Sequence, residues 1–233
     1  MFDSLFTDLE SRDQQMTAYR SGEPSAIEQW LATHGVAIES RSILPDGLDP
    51  FIEIKADGKV VGIIGIEALN ALIEPPIDRP GERDEISEGY RVLFEILEKT
   101  LFTGMSRRDL LAVSREIEDR AFRVGEGCLQ ATFQTPSIFK SQTAVYRTLA
   151  TETDLDIHVY AVEDWDPPSI RGITYHTDAV ERFESYWALA YNGGTDETQA
   201  CGLVAKQRSD AYTGFWTNDP ALVEEIRTAL STV

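Results

Sequence analysis

Three polar side chains able to handle protons, Asp156, His158 and Tyr160, alternate with apolar Ile157 and Val159 in one run that reads as extended chain. Residues two apart on a strand share a face, so the three form a single polar row. A histidine in such a row is a proton-titratable centre. Two readings of it stand open: contact with a ligand, or a solvated strand face. As a catalytic pair, Asp156 and His158 would instead serve an enzyme of unrecognised type. Nucleophilic catalysis needs a serine or cysteine beside a base. No GxSxG occurs, and His34, His158 and His176 stand in unrelated contexts. Gly62 and Gly65 lie inside a strand run and Gly193-Gly194 marks a turn, so no P-loop or dinucleotide fingerprint is present. No catalytic set is expected.

Arg107, Arg108, Arg115, Arg120 and Arg123 gather on one segment of a chain that has five lysines, sixteen arginines and forty carboxylates. Leu110, Val113, Ile117, Ala121 and Val124 recur there at helical spacing. Ser106 and Asp109 form a capping box, and Gly125 and Gly127 supply the stop. Arg115 and Arg120 could grip a phosphate or carboxylate ligand through paired hydrogen bonds. The competing reading is self-pairing along the helix, Glu116 with Arg120 and Asp119 with Arg123, at about 0.3–0.5 kcal/mol per exposed pair. Cys128 and Cys201 show no CxxC or Cys/His spacing. They read as small buried hydrophobes, with no metal site and no cofactor expected.

Aromatics cluster late in the chain. Trp187 and Trp216, placed by sequence in adjacent strands, could line a common apolar pocket together with His158. Core packing is the alternative for both. Trp165, in Asp-Trp-Asp-Pro-Pro, sits in a loop and is a candidate lid or anchor. The candidate ligand-binding set is therefore His158, Tyr160, Trp165, Trp187, Trp216, Arg115 and Arg120.

These residues need elements to hold them. The expected order begins with a helix over 1–14, a strand over 16–19 and a helix opened by Pro24 in its first turn and ending at His34-Gly35. A strand over 36–44 follows, then a hairpin of 51–55 and 60–66 across Asp57-Gly58 and a helix over 67–73. After two connecting helices come a strand over 129–134, a helix over 137–151, strands over 155–162, 185–191, 201–207 and 212–216, and a last helix over 221–230. Both halves read strand, helix, strand, strand, strand, helix. The fold class is α/β with mixed sheets covered by helices, and an ancient duplication would require both sheets to share one strand order. The prolines of 75–81 mark a boundary. This divides the chain into an N-terminal subdomain (1–80), a linking helix (81–104) and a C-terminal domain (105–233).

With 233 residues and 42% apolar content the chain can build a core. Its net charge of −19 argues against nucleic acid and anionic membranes as partners. No apolar run approaches the roughly 20 residues of a membrane span, and the acidic start is no signal peptide, so a cytoplasmic location is expected. Abundant carboxylates with scarce lysine suit a high-salt cytoplasm.

The run from Leu101 to Arg123 (LFTGMSRRDLLAVSREIEDRAFR) resembles the start of the DICT sensory domain. The likeness continues through Phe133-Gln134, residues 145–149, residues 155–160, Trp165-Asp166-Pro167-Pro168, residues 201–205 and residues 214–217. The overall plan resembles stand-alone haloarchaeal members. The resemblance implies a sensory or regulatory module in signalling that includes light responses, with no settled ligand and no catalytic residues. The chain lacks a GGDEF motif and any histidine-kinase or receiver signature. What is expected is thus a non-enzymatic module that binds a small ligand or a two-component-type signalling partner and relays a conformational bias through the connecting helices. The alternative is a regulatory adaptor working by protein contacts alone, with a homodimer among its open forms.

Overall fold

The computed structural model describes residues 2–10, 14–44, 47–56, 58–70, 98–133, 139–161, 166–177 and 183–232. Trp165, residue 57 of the hairpin turn, the 75–81 linker and residues 85–97 of the first connecting helix, expected over 85–100, lie outside the described residues, and residues 98–99 form a turn.

Strands β1 (Gln14–Arg20), β2 (Ile38–Ser42), β3 (Phe51–Ala56) and β4 (Lys59–Gly65) make a mixed sheet in the order β2-β1-β3-β4. β1 runs parallel to β2 through the crossover helix α2 (Ala26–Thr33), and the other pairs are antiparallel. Ser25 caps α2 in a capping box with Glu28, so Pro24 precedes the cap instead of opening the first turn. A short helix α3 (Ile66–Asn70) follows β4.

The second sheet has seven strands in the order β5-β11-β10-β9-β6-β7-β8. They are β5 (Phe102–Met105), β6 (Glu126–Phe133), β7 (Asp154–Ala161), β8 (Ile173–His176), β9 (Tyr186–Tyr191), β10 (Cys201–Arg208) and β11 (Ala211–Thr217). Two of these correct the sequence reading. β5 occupies the expected end of the linking helix, where Phe102 and Met105 are buried and Thr103 and Gly104 exposed. β8 is a four-residue edge strand with no clean apolar alternation to announce it. Strands β7-β6-β9-β10 repeat the order of β2-β1-β3-β4, with the first pair of each set parallel and the next two pairs antiparallel. The order that a duplication requires is therefore present in both sheets.

Helices cover both faces of the large sheet. On one face lie α4 (Arg107–Val124) and α5 (Thr143–Glu152), packing Leu110, Ile117, Val145 and Leu149 on the inward side chains of the strands. Each such fully buried side chain contributes about 1.5–3 kcal/mol. The other face carries α6 (Pro220–Ser231), with Val223, Ile226 and Leu230. It also carries α1 (Asp3–Glu10), grouped by sequence with the first 80 residues, whose Phe6 meets Phe215 edge-on at 5.6 Å. The smaller sheet joins the larger through β5. Trp30 of α2 lies 5.8 Å from Phe102, and the Thr103 amide donates to the His34 carbonyl at 2.7 Å. Gly35 makes this approach feasible. Its φ is 77°, and a Cβ there would collide with Thr103 Oγ1.

Candidate functional site

Parallel pairing of β6 with β7 sets Cys128 opposite Asp156 and Gln130 opposite His158, while β8 sets His176 opposite Tyr160. All six side chains share the α6 face of the sheet. His158 Nδ1 lies 2.9 Å from His176 Nε2, and His158 Nε2 lies 3.0 Å from an Asp156 carboxylate oxygen. The His176 ring stacks on Tyr160 at 4.4 Å. Gln130 Nε2 donates to the Tyr160 hydroxyl at 3.1 Å and to Ser231 Oγ of α6 at 2.8 Å. Hydrogen bonds thus link exposed Asp156 to the two imidazoles, and the His176–Tyr160 ring stack joins them to the Tyr160–Gln130–Ser231 bonds that reach α6.

Burial is graded along this row. The Asp156 side chain is 68% exposed, that of His158 23%, and Tyr160 is buried at 2%. The solvated-face reading of the row holds at its start, at Asp156, and fails at its enclosed end, at Tyr160. A carboxylate so open to water is not the desolvated partner of a poised catalytic dyad. Burial raises the Cys128 thiol above its ordinary range, with Arg227 beside it working the other way. Cys128, Asp156 and His158 bring three potential ligand atoms within 4.8 Å of one another. No spacing rule reveals this trio, because the parallel register between two separate strands creates it.

Trp187 and Trp216 lie on the opposite face. Ladder partners Leu189, Leu203 and Trp216 all point toward α4, as does Trp187, so these two tryptophans and His158 cannot wall one pocket. Nor are their strands adjacent, since β10 runs between β9 and β11. Trp187 donates its indole N–H to Ser114 Oγ at 2.9 Å and carries the Arg107 guanidinium 5.6 Å above its ring. Trp216 stacks on Phe102 at 4.6 Å with 8° between planes. Both tryptophans hold neighbouring elements to the sheet.

The arginine helix forms as its capping box and αL Gly125 suggested; Arg107, Arg108 and Arg123 are exposed, but the middle of its charged face is interior. Arg115, Glu116, Glu118 and Arg120 are all buried. Arg115 pairs with Glu118 and Gln142, and Arg120 Nη1 donates to Asn218 Oδ1 at 2.8 Å. Glu116 receives both Arg120 at 3.8 Å and Arg123 at 3.6 Å. Arg123 thus pairs with Glu116, where the sequence pairing suggested Asp119. Burial, with the neighbouring Glu116 charge, pushes Asp119 up to about 7. Burial likewise raises Glu118 against the pull of Arg115. Buried ion pairs of this kind forfeit hydration that surface pairs keep, so surface values for their worth do not apply.

The profile of a family described as a sensory domain in diguanylate cyclases and two-component systems matches residues 92–208, half of the chain. The chain belongs to the DICT family. The matched residues include α4 and the whole row from Cys128 to His176, and end with β10. DICT membership makes this a protein of sensory type. No curated protein matches the chain. Among solved structures it is similar to the polyphosphate kinase of Porphyromonas gingivalis, with 12% identity and a TM-score of 0.33. That match covers 97% of this chain and 47% of the kinase, so the chain spans about half the kinase's length. Among the described residues no helix is long and apolar enough to cross a membrane.

Proposed function

We propose that this DICT protein is a non-enzymatic, cytoplasmic sensory module whose ligand site is the polar row on the α6 face of the large sheet. The observation that carries the reading is the row in which Asp156, His158 and His176 are hydrogen-bonded in turn and the His176 ring stacks on Tyr160, open at one end and buried at the other, inside the DICT-matched residues. A ligand at the open end would alter the hydrogen bonds of His158 and, through Gln130 and Ser231, the seating of α6. The core beneath the row carries the same strands to α4, which meets the smaller sheet at His34. That path is the proposed relay, and the output belongs to a signalling partner.

A second reading, a regulatory adaptor without a small ligand, is favoured by Val60 and Ile63, apolar and exposed on the outermost strand β4. A thermal-shift screen of the intact chain in high salt separates the two. Nucleotides, cyclic dinucleotides, tetrapyrroles, flavins and divalent metals are the compounds to test. A ligand present at a hundred times its dissociation constant stabilises by about 2.7 kcal/mol, well within detection. A hit supports the sensory site. No hit, together with a stoichiometric protein partner lost on mutating Val60 and Ile63 to serine, supports the adaptor.

A further inference from the structure

We propose that Cys128 Sγ, an Asp156 carboxylate oxygen and His158 Nε2 form a three-donor site for a divalent transition metal of borderline softness, zinc above all, with one coordination position left to solvent. This inference rests on the sensory reading above and names the ligand of that same row.

The backbone register does most of the assembly. Cys128 and Asp156 are direct partners in the parallel ladder, and His158 follows Asp156 two residues along on the same face. The three donor atoms already lie within 4.8 Å of one another. Two ligands bound at about 2.0 Å with a tetrahedral angle stand about 3.3 Å apart. The observed 3.0 Å between His158 Nε2 and Asp156 is close to that spacing. Bringing in the sulfur requires side-chain rotation at exposed Asp156 and half-buried Cys128, with no change of fold.

The surroundings suit a ligating histidine. A metal-bound imidazole usually directs its other ring nitrogen to a fixed partner, which sets its tautomer and orientation. His158 Nδ1 has such a partner in His176 Nε2 at 2.9 Å, and His176 is in turn stacked on buried Tyr160. With the proton on Nδ1 donated to His176, the Nε2 lone pair faces Asp156 and Cys128. In the metal-free protein the same nitrogen can donate to Asp156, so metal entry exchanges one hydrogen bond for a coordinate bond.

Donor chemistry selects the metal. Calcium and magnesium take oxygen ligands almost exclusively, whereas one sulfur, one nitrogen and one carboxylate oxygen suit zinc and its neighbours. Thiolate and carboxylate together neutralise a divalent charge, and nearby Arg227 is itself paired with Glu224. Closed structural zinc sites use four protein ligands, while three leave an open position. With Asp156 68% exposed, this metal would exchange with the medium, as a sensor of metal availability requires.

The test is a titration of the intact, metal-free, reduced chain with Co²⁺, followed by displacement with Zn²⁺. The expected result is one equivalent bound, a sulfur-to-cobalt charge-transfer band and the intense visible absorption of a four-coordinate ion. Cys128→Ser and His158→Gln should each abolish the band, and His176→Ala should keep it while weakening binding about 10–100-fold. His158→Gln and Asp156→Asn, on the exposed side, keep the comparison valid if Cys128→Ser does not fold. Cobalt binding without the sulfur band, equal affinity in His158→Gln, or no binding at all overturns the metal site. If no metal binds but an organic compound protects wild type and not His158→Gln, the metal proposal falls and the sensory reading stands. If zinc binds yet leaves hydrogen exchange in α4 and α6 unchanged, the metal site stands and the relay falls.

Discussion

The imidazole of His34, at the end of α2, lies 3.4 Å from the carboxylate of Asp109 in the first turn of α4, joining the smaller sheet to the arginine helix. The other ring nitrogen of His34 lies 2.7 Å from the Trp30 carbonyl, so both face acceptors and the imidazolium form is satisfied. Burial works to lower the His34 pKa, but the bonds to Asp109 and Trp30 outweigh it and the pKa is raised. Asp109 is held below its ordinary range: burial opposes this, and the bonds from His34 and Ser106 overcome it. Stability from raised His34 is fully present below its unfolded pKa of about 6.5 and is lost as pH rises through the higher folded value. Stability from Asp109 is present above its unfolded pKa of about 3.9 and is lost as pH falls through the lower folded value. His34→Ala should therefore cost about 1–3 kcal/mol in urea unfolding at pH 6 and less at pH 9. A penalty independent of pH would mean that the pair is not ionic.

Asp119 should behave in the opposite sense to Asp109. Its folded pKa of about 7 lies above the ordinary carboxylate value, so the folded state binds the extra proton between roughly pH 4 and 7 and loses stability across that range as pH rises. Asp119→Asn should add about 1–2 kcal/mol at pH 8 and little at pH 4, a discount from the full shift because the cluster shares its charge. Denaturant melts of both proteins at the two pH values read this directly. A destabilised variant at pH 8 contradicts the assignment.

Trp216 and Phe102 stack between β11 and β5, and β5 also carries the contact with His34. Trp216→Ala should cost about 3–5 kcal/mol, as other large-to-small changes in cores do. Trp187 is only half-buried, so Trp187→Ala should cost less. Thermal melts rank the two, and the reverse order would count against the packing described.

Salt tests the reading of the charge. A net charge of −19 predicts that raising KCl from about 0.1 M to about 2 M increases the melting temperature as carboxylate repulsion is screened. An unchanged temperature would remove the high-salt reading.

Local signals were legible in the sequence where local physics decides. The capping box at Ser106 and Asp109, the αL stop at Gly125 and the apolar stripe of α4 are properties of neighbouring residues, and all three appear in the structure. The polar row of Asp156, His158 and Tyr160 followed from the period of a strand. Strand adjacency did not follow, because β10 enters between β9 and β11 only through long-range pairing. For the same reason sequence grouped Trp187 and Trp216 with His158, when the sheet itself separates them. Cys128 and His176 escaped notice as neighbours of His158 because two parallel registers, not spacing, bring them there. The interior position of Arg115 and Arg120 also depends on tertiary cover that helical spacing does not encode.

The central claim is that sensing occurs on the α6 face, at His158, and not on the α4 face, at Trp187. The most direct measurement repeats the thermal-shift screen on His158→Gln and Trp187→Phe beside the wild type. The account predicts a compound or metal ion that raises the melting temperature of the wild type and of Trp187→Phe, and leaves His158→Gln unmoved. A ligand whose shift survives in His158→Gln and vanishes in Trp187→Phe would contradict it.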